Sequence, residues 1–478
     1  MTMIKKYFNE AFQQYEGWQQ MLDSNDMLRT AVELLRKLEQ IEPNSENLIV
    51  GGAVRDLLLG HQPHDVDIAT NINVDKISQH FKTADIGKSK DFGIVDVPYG
   101  DYRYEVANFR QESGYSDSRH PDKVEMVKSF EQDAKRRDLT VNALGIDKNG
   151  VIHDYVGGID DLTNKVIRTV GRPFERFAED SLRLLRVGRF ATKLGFKIDP
   201  ETKQAIIALK DTILNVAPER VRDELFKVAG ISGSALADYI EHLDETGLLK
   251  ILLPELHEMK HGDYPHQAIH HPEGNVFQHV LSALRTSKST DAITNLAIMA
   301  HDLGKLVTKG ANEEGNVTYR GHEDAGKEVF EKIADRLKFS NDERDSVLFA
   351  IEYHMQGHRF PEMKKSKIIS IRQHKNWPVL KDVLHADQAA RGPDFKHKDW
   401  VKDMDYVEDV FKTFGEKDAF EKKMATFVDG RKVMELRPEL KGSQIGVVKN
   451  AAREYIIQRD FNVSPEEIKE FIKRYEIV

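Results

Sequence analysis

The sequence predicts an α+β fold, with one sheet-bearing domain near the N-terminus and helical domains after it. Between residues 47 and 160, stretches that alternate apolar and polar side chains, typical of half-buried strands, are separated by short helical segments. From residue 161 onward, nearly every apolar stretch has the spacing of a helix. We therefore expect five segments: a helical N-terminal extension (1–46), a head with a mixed or antiparallel sheet (47–160), a helical neck and body (161–262), a further helical domain (263–395) and a helical tail (396–478).

The composition indicates a soluble globular protein and excludes several classes of site. No stretch of about 18 apolar residues could span a membrane, and the N-terminus has no signal-peptide pattern, so we expect the protein in the cytoplasm. The absence of cysteine excludes disulfides and thiolate zinc sites, leaving His, Asp and Glu as side-chain metal ligands. A net charge of −9 argues against a surface coated with RNA-binding charge, although the 70 Lys and Arg residues can cluster locally.

The first strand and helix of the head surround a glycine pair. Before them, apolar residues at helical spacing between residues 31 and 38 predict a helix that packs on the head. A strand over Asn47–Val50 then runs into the glycines, and Gly52 lets the backbone approach a triphosphate. The helix beginning near Ala53 adds its positive N-terminus and Arg55, so this corner predicts a phosphate-binding site.

Two aspartates follow, one residue apart. In an extended strand, residues i and i+2 point to one face, so Asp65 and Asp67 project together while Val66 and Ile68 point into a core. Two carboxylates on one face suit a pair of Mg²⁺ ions. A lone D-x-D is more often a solvated turn, but its combination with the glycine corner is the layout of a nucleotidyl-transfer site.

A β-hairpin is predicted next, from residues 92–97 and 102–109 around a turn at Gly100. Glu105 lies on the face of the second strand opposite its apolar residues, which makes it a candidate third acid; an ordinary exposed strand residue explains it equally well. Residues 111–130 are polar and rich in turn formers, and we expect a mobile loop there.

Two further segments carry a family resemblance. Residues 135–144 read KRRDLTVNAL and residues 153–162 read HDYVGGIDDL. Adjacent arginines alone would be taken as helix caps. Together with GGAVRD and DVDIAT upstream, they make the chain resemble the polymerase-beta-type nucleotidyltransferases, in particular the class II CCA-adding enzymes and bacterial poly(A) polymerases. The resemblance implies that Arg136 or Arg137 binds the triphosphate, for which a guanidinium fork is suited.

The segment Glu179–Phe196 predicts one helix with a polar stripe of Asp180, Arg183, Arg186 and Arg189. A surface ion pair would explain this spacing too. However, a carboxylate and an arginine can pair with the exocyclic amine and ring nitrogen that cytosine and adenine share, and both mispair with uracil and guanine. E-D-x-x-R resembles the amino-acid template of CCA-adding enzymes. This implies that Asp180 and Arg183 select CTP and ATP, with Arg186 and Arg189 as phosphate or base partners.

A second chemical centre is predicted further along. Thirteen of the 19 histidines lie between residues 257 and 397. The order His279, His301–Asp302, Asp387 resembles that of the HD phosphohydrolases. Imidazole and carboxylate together suit a divalent transition ion such as Ni²⁺ or Mn²⁺. His322 and His354, and more weakly His358, are candidate additional ligands or phosphate contacts, although any single histidine is more often structural.

The resemblance runs from about residue 47 to 395, and residues 429–460 resemble the ending of CCA-adding enzymes that carry an HD domain. Residues 218–227 match a neck motif from which we expect support and no chemistry. The first 46 residues depart from the family, which leaves their role open.

The resemblance implies a tRNA nucleotidyltransferase that adds or repairs the 3′-terminal CCA from CTP and ATP. Asp65 and Asp67 would bind the two Mg²⁺ ions, and the HD domain would hydrolyse 2′,3′-cyclic phosphates, 2′-nucleotides and other phosphate esters. Three rivals are a bacterial poly(A) polymerase, an alarmone synthetase, in which the HD module comes first, and a non-catalytic RNA-binding relative. No membrane partner is expected, and monomer and homodimer both remain open.

Overall fold

The computed structural model describes residues 17–83, 93–113, 123–265, 274–391 and 398–477. The chain forms two compact units. The first comprises residues up to 228 together with 238–254, and the second comprises 229–237 together with the chain from 255 onward. The fold is α+β: a mixed sheet lies in the first unit, and helices follow it. In the described parts of the chain, no helix is long and apolar enough to cross a bilayer.

The head is built on a six-stranded sheet with the order β3-β4-β2-β1-β7-β8. Strand β2 runs parallel to β4 and antiparallel to β1, so the sheet is mixed. A separate antiparallel pair, β5 and β6, forms within the segment for which the sequence predicted only a mobile loop; residues 114–122 between these strands lie outside the described part. The strands are β1 Asn47–Val50, β2 Asp67–Thr70, β3 Ile94–Tyr99, β4 Tyr102–Asn108, β5 Arg110–Ser113, β6 Lys123–Met126, β7 Gly145–Ile146 and β8 Ile152–His153.

Helices flank this sheet: α1 Trp18–Ser24, α2 Asp26–Ile41, α3 Gly52–Leu58, α4 Val74–His80, α5 Phe130–Ala134 and α6 Gly158–Asn164, with a 3-10 turn over Thr140–Asn142. Helix α2 confirms the helix predicted in the extension and buries Ala31, Leu34, Leu35 and Leu38.

The helices that precede β1 are held to the head by specific contacts. The Tyr104 hydroxyl on β4 donates a hydrogen bond to the Met27 carbonyl at 2.7 Å. The indole of Trp18 packs on Gly150, where an added Cβ would come within 2.6 Å of the ring. The described part of the extension is therefore an integral layer of the head.

The chain from residue 166 to 252 is mostly helical: β9 Val166–Ile167, α7 Pro173–Glu179, α8 Arg183–Leu194, β10 Lys197–Ile198, α9 Pro200–Leu209, a 3-10 helix over Lys210–Asn215, α10 Pro218–Ala229, α11 Gly233–Glu245 and α12 Leu248–Leu252.

The single helix predicted over 179–196 was wrong, because it is interrupted at Asp180. The backbone of Asp180 is extended, with φ of −145°. Its carboxylate accepts a hydrogen bond from the Leu182 N–H at 3.0 Å, and this local bond competes with a continuous helix. Helix α8 also ends before Phe196, because Gly195 adopts the left-handed conformation at φ of 64°.

In its described residues, the second unit is helical apart from one short strand pair, β11 with β12, and an isolated bridge between Pro265 and Asn275. In chain order its elements are α13 Pro254–His261, α14 Val276–Thr286, α15 Ala292–Ala300, α16 Lys305–Thr308, β11 Gly310–Ala311, β12 Val317–Thr318, α17 His322–Arg336, α18 Asn341–Tyr353, a 3-10 helix over His354–Glu362, α19 Lys365–Arg372, α20 Trp377–Ala390, α21 Lys398–Phe414, α22 Lys417–Phe427, α23 Gly430–Leu436, α24 Ser443–Gln458 and α25 Pro465–Arg474. One apolar core joins α19 and α20 to α21–α25, with Trp377, Val407 and Val448 buried in it.

Candidate active site and candidate metal centre

The D-x-D pair lies where the sequence predicted. Asp65 and Asp67 are exposed, while Val66 and Ile68 are buried at 4% and 0% exposure, as the alternation requires. Parallel pairing of Ile68 with Val106 sets Asp67 beside Glu105 on the neighbouring strand. Three carboxylates therefore converge at one end of β2 and β4.

The electrostatics of this cluster favour a bound cation. Although part of the Asp67 side chain is open to solvent, the protein around its carboxyl displaces water and raises its pKa to about 6; repulsion by Glu105 and Asp65 adds to this, while Arg137 opposes it. Carboxylate oxygens that repel one another in this way are the donor set that Mg²⁺ prefers. The residues present thus fit the divalent ions that the fold implies.

The glycine corner is tightly built. Gly51 adopts φ of 73°, and a Cβ there would come within 3.3 Å of the Arg137 guanidinium. Arg55 is only 3% exposed, and it donates hydrogen bonds to Asn142 at 2.6 Å and to Asp56 at 2.8 Å. Arg55 is thus anchored to the head, with its guanidinium at the wall of the cleft described below.

Arg136 and Arg137 share one buried acid. Asp133, which is 1% exposed, accepts from Arg136 at 2.8 Å through one oxygen and from Arg137 at 3.0 Å through the other. Burial would raise the pKa of Asp133, but the guanidinium groups of Arg137 and Arg136 hold it below its ordinary value. This pairing orients both arginines.

The polar residues of α7 and α8 do not form the surface ion pair that was the alternative explanation of their spacing. Asp180 does not pair with Arg183; its carboxylate is held by Arg220 of α10, with contacts of 2.9 and 3.3 Å. Arg183 instead contacts Glu179 and donates to the Arg176 carbonyl at 3.0 Å.

Arg186 and Arg189 also have specific acidic partners. Arg186 donates to Asp138 at 2.7 Å, which ties α8 to the head, and Arg189 donates to Glu224 at 2.5 Å. Burial would raise the pKa of Asp138 and of Glu224, but the paired arginines hold both values low.

One cleft of about 760 Å³ in the first unit is lined by the three acids, by Asp180 and by most of these arginines. These arginines come from the head, from α8 and, in the case of Arg220, from α10. The cleft brings together every residue that the sequence predicted for the nucleotidyl-transfer site: Gly52, Arg55, Asp65, Asp67, Glu105, Arg136, Arg137, Asp180, Arg183, Arg186 and Arg189.

The second predicted centre is assembled in the second unit. His279, His301, Asp302, His322, His354 and Asp387 come from five different segments and are buried. The His279 Nε2 lies 2.9 Å from Asp387 and 3.8 Å from Asp302. The His358 side chain lies outside the described part of the structure. A buried imidazole–carboxylate set of this kind fits a divalent transition ion.

Burial and neighbouring charges shift the pKa values of Asp302 and His354 in this centre. Burial would raise the pKa of Asp302, but Lys305, 2.6 Å away, and His301 hold it well below its usual value. Burial lowers the pKa of His354 to about 3, and the neighbouring His301 and His322 lower it further. His354 is therefore a neutral imidazole, the form that binds metals.

Comparison with known proteins agrees with this architecture. Residues 47–168 match the poly A polymerase head domain, and residues 195–260 match the probable RNA- and SrmB-binding site of polymerase A. The CCA-adding enzyme of Bacillus subtilis is 43% identical over 46% of this chain and 55% of its own length. That of Enterococcus faecalis is 47% identical over 41% of this chain and 48% of its own length. The chain thus spans about half the length of these relatives.

A solved structure extends the likeness to most of the chain. The Bacillus stearothermophilus CCA-adding enzyme, in complex with CTP, superposes with a TM-score of 0.69 at 25% identity, covering 94% of this chain and 97% of that one. The chain is thus similar to bacterial CCA-adding enzymes over most of its fold. A Thermotoga maritima CCA-adding enzyme, complexed with tRNA, shares the fold at a TM-score of 0.56 and 18% identity, covering 95% of this chain and 97% of that one.

The cleft also contains residues that the sequence did not single out for a role in it. Arg220 comes from the segment expected to give support only, yet it binds Asp180. Asn142 holds Arg55, and Phe190 lies under Arg189 at 4.2 Å from its ring centre. The R-R-D and P-E-R motifs contain Asp138 and Arg220, but nothing in their spacing indicates which partner each would meet.

Proposed function

We propose that the protein is a CCA tRNA nucleotidyltransferase, which adds or repairs the 3′-terminal CCA of tRNA from CTP and ATP. The observation that carries this is the cleft that three carboxylates and several arginines line together, within a chain that is similar to CCA-adding enzymes. Nucleotidyl transfer needs acids and arginines in one cleft, because metal ions and a triphosphate must lie side by side.

The reaction joins the 3′ oxygen of the RNA to the α-phosphorus of the nucleotide as the bond to the β-phosphate oxygen breaks. Pyrophosphate leaves, and the hydroxyl proton passes to water. Mg²⁺ held by Asp65, Asp67 and Glu105 would activate the hydroxyl and neutralise the triphosphate. Arg136 and Arg137, oriented by Asp133, would bind phosphate oxygens as forks.

Base selection is assigned to Asp180 and Arg183. A carboxylate accepts from the exocyclic amine of cytosine or adenine, and an arginine donates to the adjacent ring nitrogen. Uracil and guanine leave both protein groups mispaired, which costs about 1–3 kcal/mol for each buried group. Because Arg183 contacts Glu179 here, pairing with a base requires that its guanidinium turns away from that acid.

The test is incubation with tRNA lacking CCA and one labelled nucleotide at a time. We expect incorporation of CMP and then AMP by the wild type, and loss of both in Asp65→Ala or Asp67→Ala with tRNA binding retained. Asp101→Ala, an exposed acid at the turn of the β3–β4 hairpin, is the matched control. Incorporation of AMP alone would identify a poly(A) polymerase, and no incorporation would identify a non-catalytic relative.

We also propose that the buried cluster of the second unit is a metal-dependent phosphohydrolase centre. His279, His301, Asp302 and Asp387 would hold a Ni²⁺ or Mn²⁺ ion, and 2′,3′-cyclic phosphates, 2′-nucleotides and other phosphate esters are the expected substrates. The observation that supports it is the convergence of buried imidazoles and carboxylates, since such groups are rarely buried without a partner or a metal.

Hydrolysis of 2′,3′-cyclic AMP in the presence of Ni²⁺ tests this second activity. Asp302→Ala should abolish hydrolysis and leave CCA addition near the wild-type rate, because the residue lies in the other unit from the cleft. If the wild type does not hydrolyse the cyclic phosphate, the second proposal fails and the first stands.

A further inference from the structure

The N-terminal end of α2 contacts both chain segments that carry the acids of the cleft. One is the loop between α3 and β2, which contains Gln62 and leads into Asp65. The other is β4, which contains Glu105. We propose that Asn25, at this end of the helix, is a positioning residue that acts through Gln62 to hold the Asp65 carboxylate where metal binding requires it. This inference deepens the proposed nucleotidyl-transfer site and rests on that proposal.

The Asn25 side chain makes one bond to its own helix and one to the loop. Its Oδ1 accepts a hydrogen bond from the Leu28 N–H at 2.8 Å, which caps α2. Its Nδ2 donates to the Gln62 Oε1 at 2.5 Å. The Gln62 Nε2 lies 3.9 Å from the Met21 Sδ of α1, so the Gln62 amide contacts both helices of the extension.

In the described part of the chain, the backbone of residues 62–66 makes no hydrogen bond, so side chains must fix this loop. Pro63 is buried, and its ring fixes its own φ and restricts the residue before it to extended conformations. A displacement of Gln62 is therefore passed along a stiff stretch of chain to Asp65. On the other side of Asp65, Val66 is fixed by burial at 4% exposure.

The same end of α2 is attached to β4. The Tyr104 hydroxyl, on the face of β4 opposite Glu105, donates to the Met27 carbonyl at 2.7 Å. At the turn of the β3–β4 hairpin, a Cβ on Gly100 would come within 3.0 Å of the Thr30 side chain, so the helix and the hairpin pack closely. The N-terminal end of α2 thus holds the loop before β2 in a fixed position relative to β4.

Asp65 is the acid whose position depends on this loop. Asp67 and Glu105 belong to β2 and β4, and the pairing of Ile68 with Val106 fixes these strands side by side. Asp65 precedes β2 and lies outside that ladder. Mg²⁺ requires near-ideal octahedral geometry with oxygens at about 2.0–2.1 Å, so a displaced Asp65 would bind the ion less tightly.

The test compares Asn25→Ser with Asn25→Asp in the full-length chain. Serine caps a helix about as well as asparagine, but its side chain is too short to reach Gln62 as well. Aspartate also caps the helix, and its carboxylate can accept from the Gln62 Nε2 once that amide turns over. Mn²⁺ binding is followed by the electron paramagnetic resonance signal of the free ion, and the binding that is lost in Asp65→Ala/Asp67→Ala is assigned to the head.

We expect Asn25→Ser to raise the Mn²⁺ dissociation constant of the head by roughly 3- to 10-fold, which is the factor for one hydrogen bond of ordinary strength. Asn25→Asp should bind Mn²⁺ like the wild type. Gln62→Ala should match Asn25→Ser, and the double variant should be no weaker than either single variant, because both changes remove the same contact.

Two controls separate positioning from stability. Gln40→Ala removes an exposed amide of α2 whose partner is Lys37 of the same helix, and it should bind Mn²⁺ like the wild type. Leu38→Ala leaves a cavity at the other end of α2, and it should lower the melting temperature without weakening Mn²⁺ binding. Gln62→Ala, in an exposed loop position, keeps the comparison valid if Asn25→Ser does not fold.

Wild-type affinity in both Asn25→Ser and Gln62→Ala overturns the inference. Additive weakening in the double variant, or an equal loss in Asn25→Asp or Leu38→Ala, also overturns it. The proposed function can fail separately: weaker Mn²⁺ binding in Asn25→Ser, in a protein that does not incorporate CMP, would support the positioning role and reject CCA addition. CMP incorporation by the wild type with unchanged Mn²⁺ binding in the variants would do the reverse.

Discussion

The raised pKa of Asp67 makes this residue of the cleft unfavourable for stability when it is ionised. A carboxyl group whose pKa is raised in the folded state binds its proton more tightly there than in the unfolded chain. It therefore favours folding at acid pH, and this contribution is lost as the pH rises through about 6. Above that pH the ionised Asp67 destabilises the metal-free protein.

Asp67→Asn should accordingly raise the melting temperature of the metal-free protein at pH 7.5 and leave it nearly unchanged at pH 4. The reason is that the amide removes a charge repelled by Glu105 and Asp65 only where that charge exists. Thermal denaturation in EDTA at both pH values measures this, with Asp101→Asn as control. An equal shift at the two pH values would contradict it.

Arg220 is the residue whose contribution only the structure suggests. It holds the Asp180 carboxylate with two hydrogen bonds, and hydrogen bonds to charged groups contribute about 1.5–3 kcal/mol. Arg220→Ala should therefore let Asp180 turn and raise UMP incorporation relative to CMP by roughly 10-fold or more.

The measurement is the ratio of kcat/KM for UTP and CTP on tRNA lacking CCA. Arg222→Ala, two residues along α10 and not in the cleft, should leave the ratio unchanged. A lower rate at an unchanged ratio would show that Arg220 is merely structural.

At the scale of elements, alanine substitutions at Gly51 and at Gly60 test what the turn from β1 into α3 contributes to activity. Gly51 and Gly60 have φ of 73° and 80°, so alanine is strained at both, at a cost of about 1 kcal/mol. Only at Gly51 would the new Cβ also approach the Arg137 guanidinium, at 3.3 Å. We expect similar losses of stability in both variants, and at least a 10-fold loss of CMP incorporation in Gly51→Ala alone. Urea denaturation measures the loss of stability, and assays of CMP incorporation measure the loss of activity.

The sequence predicted the elements whose residues follow a local pattern. It did not predict the features that depend on which side chains contact one another. The alternation of apolar and polar residues predicted β2 and the β3–β4 hairpin. It also predicted that Asp65, Asp67 and Glu105 lie on the polar faces of their strands. The break at Asp180 arises from one hydrogen bond to the Leu182 N–H, which a helical pattern does not reveal. Likewise, the spacing of Asp180 and Arg183 left an ion pair between them as an alternative, and it did not indicate that Arg220, 40 positions away, binds the aspartate.

At the scale of the whole molecule, the two units should need different metals. The head offers carboxylates alone, which favour Mg²⁺, and the second unit offers imidazoles, which favour transition ions. After EDTA treatment, Mg²⁺ should restore CCA addition but not cyclic-phosphate hydrolysis, and Ni²⁺ should restore hydrolysis. Assaying both activities with each ion measures this. Full hydrolysis in Mg²⁺ would count against an imidazole-dependent centre.

The packing of Trp18 on Gly150 gives the first unit an optical reporter of its own. The chain has three tryptophans, at positions 18, 377 and 400, and only the first precedes the second unit. Trp18 is 8% exposed, and its indole N–H lies 3.4 Å from the Lys148 carbonyl, so water should quench and redshift its emission on unfolding. A chain with Trp377→Phe and Trp400→Phe would therefore report on the head by fluorescence alone, within the intact protein.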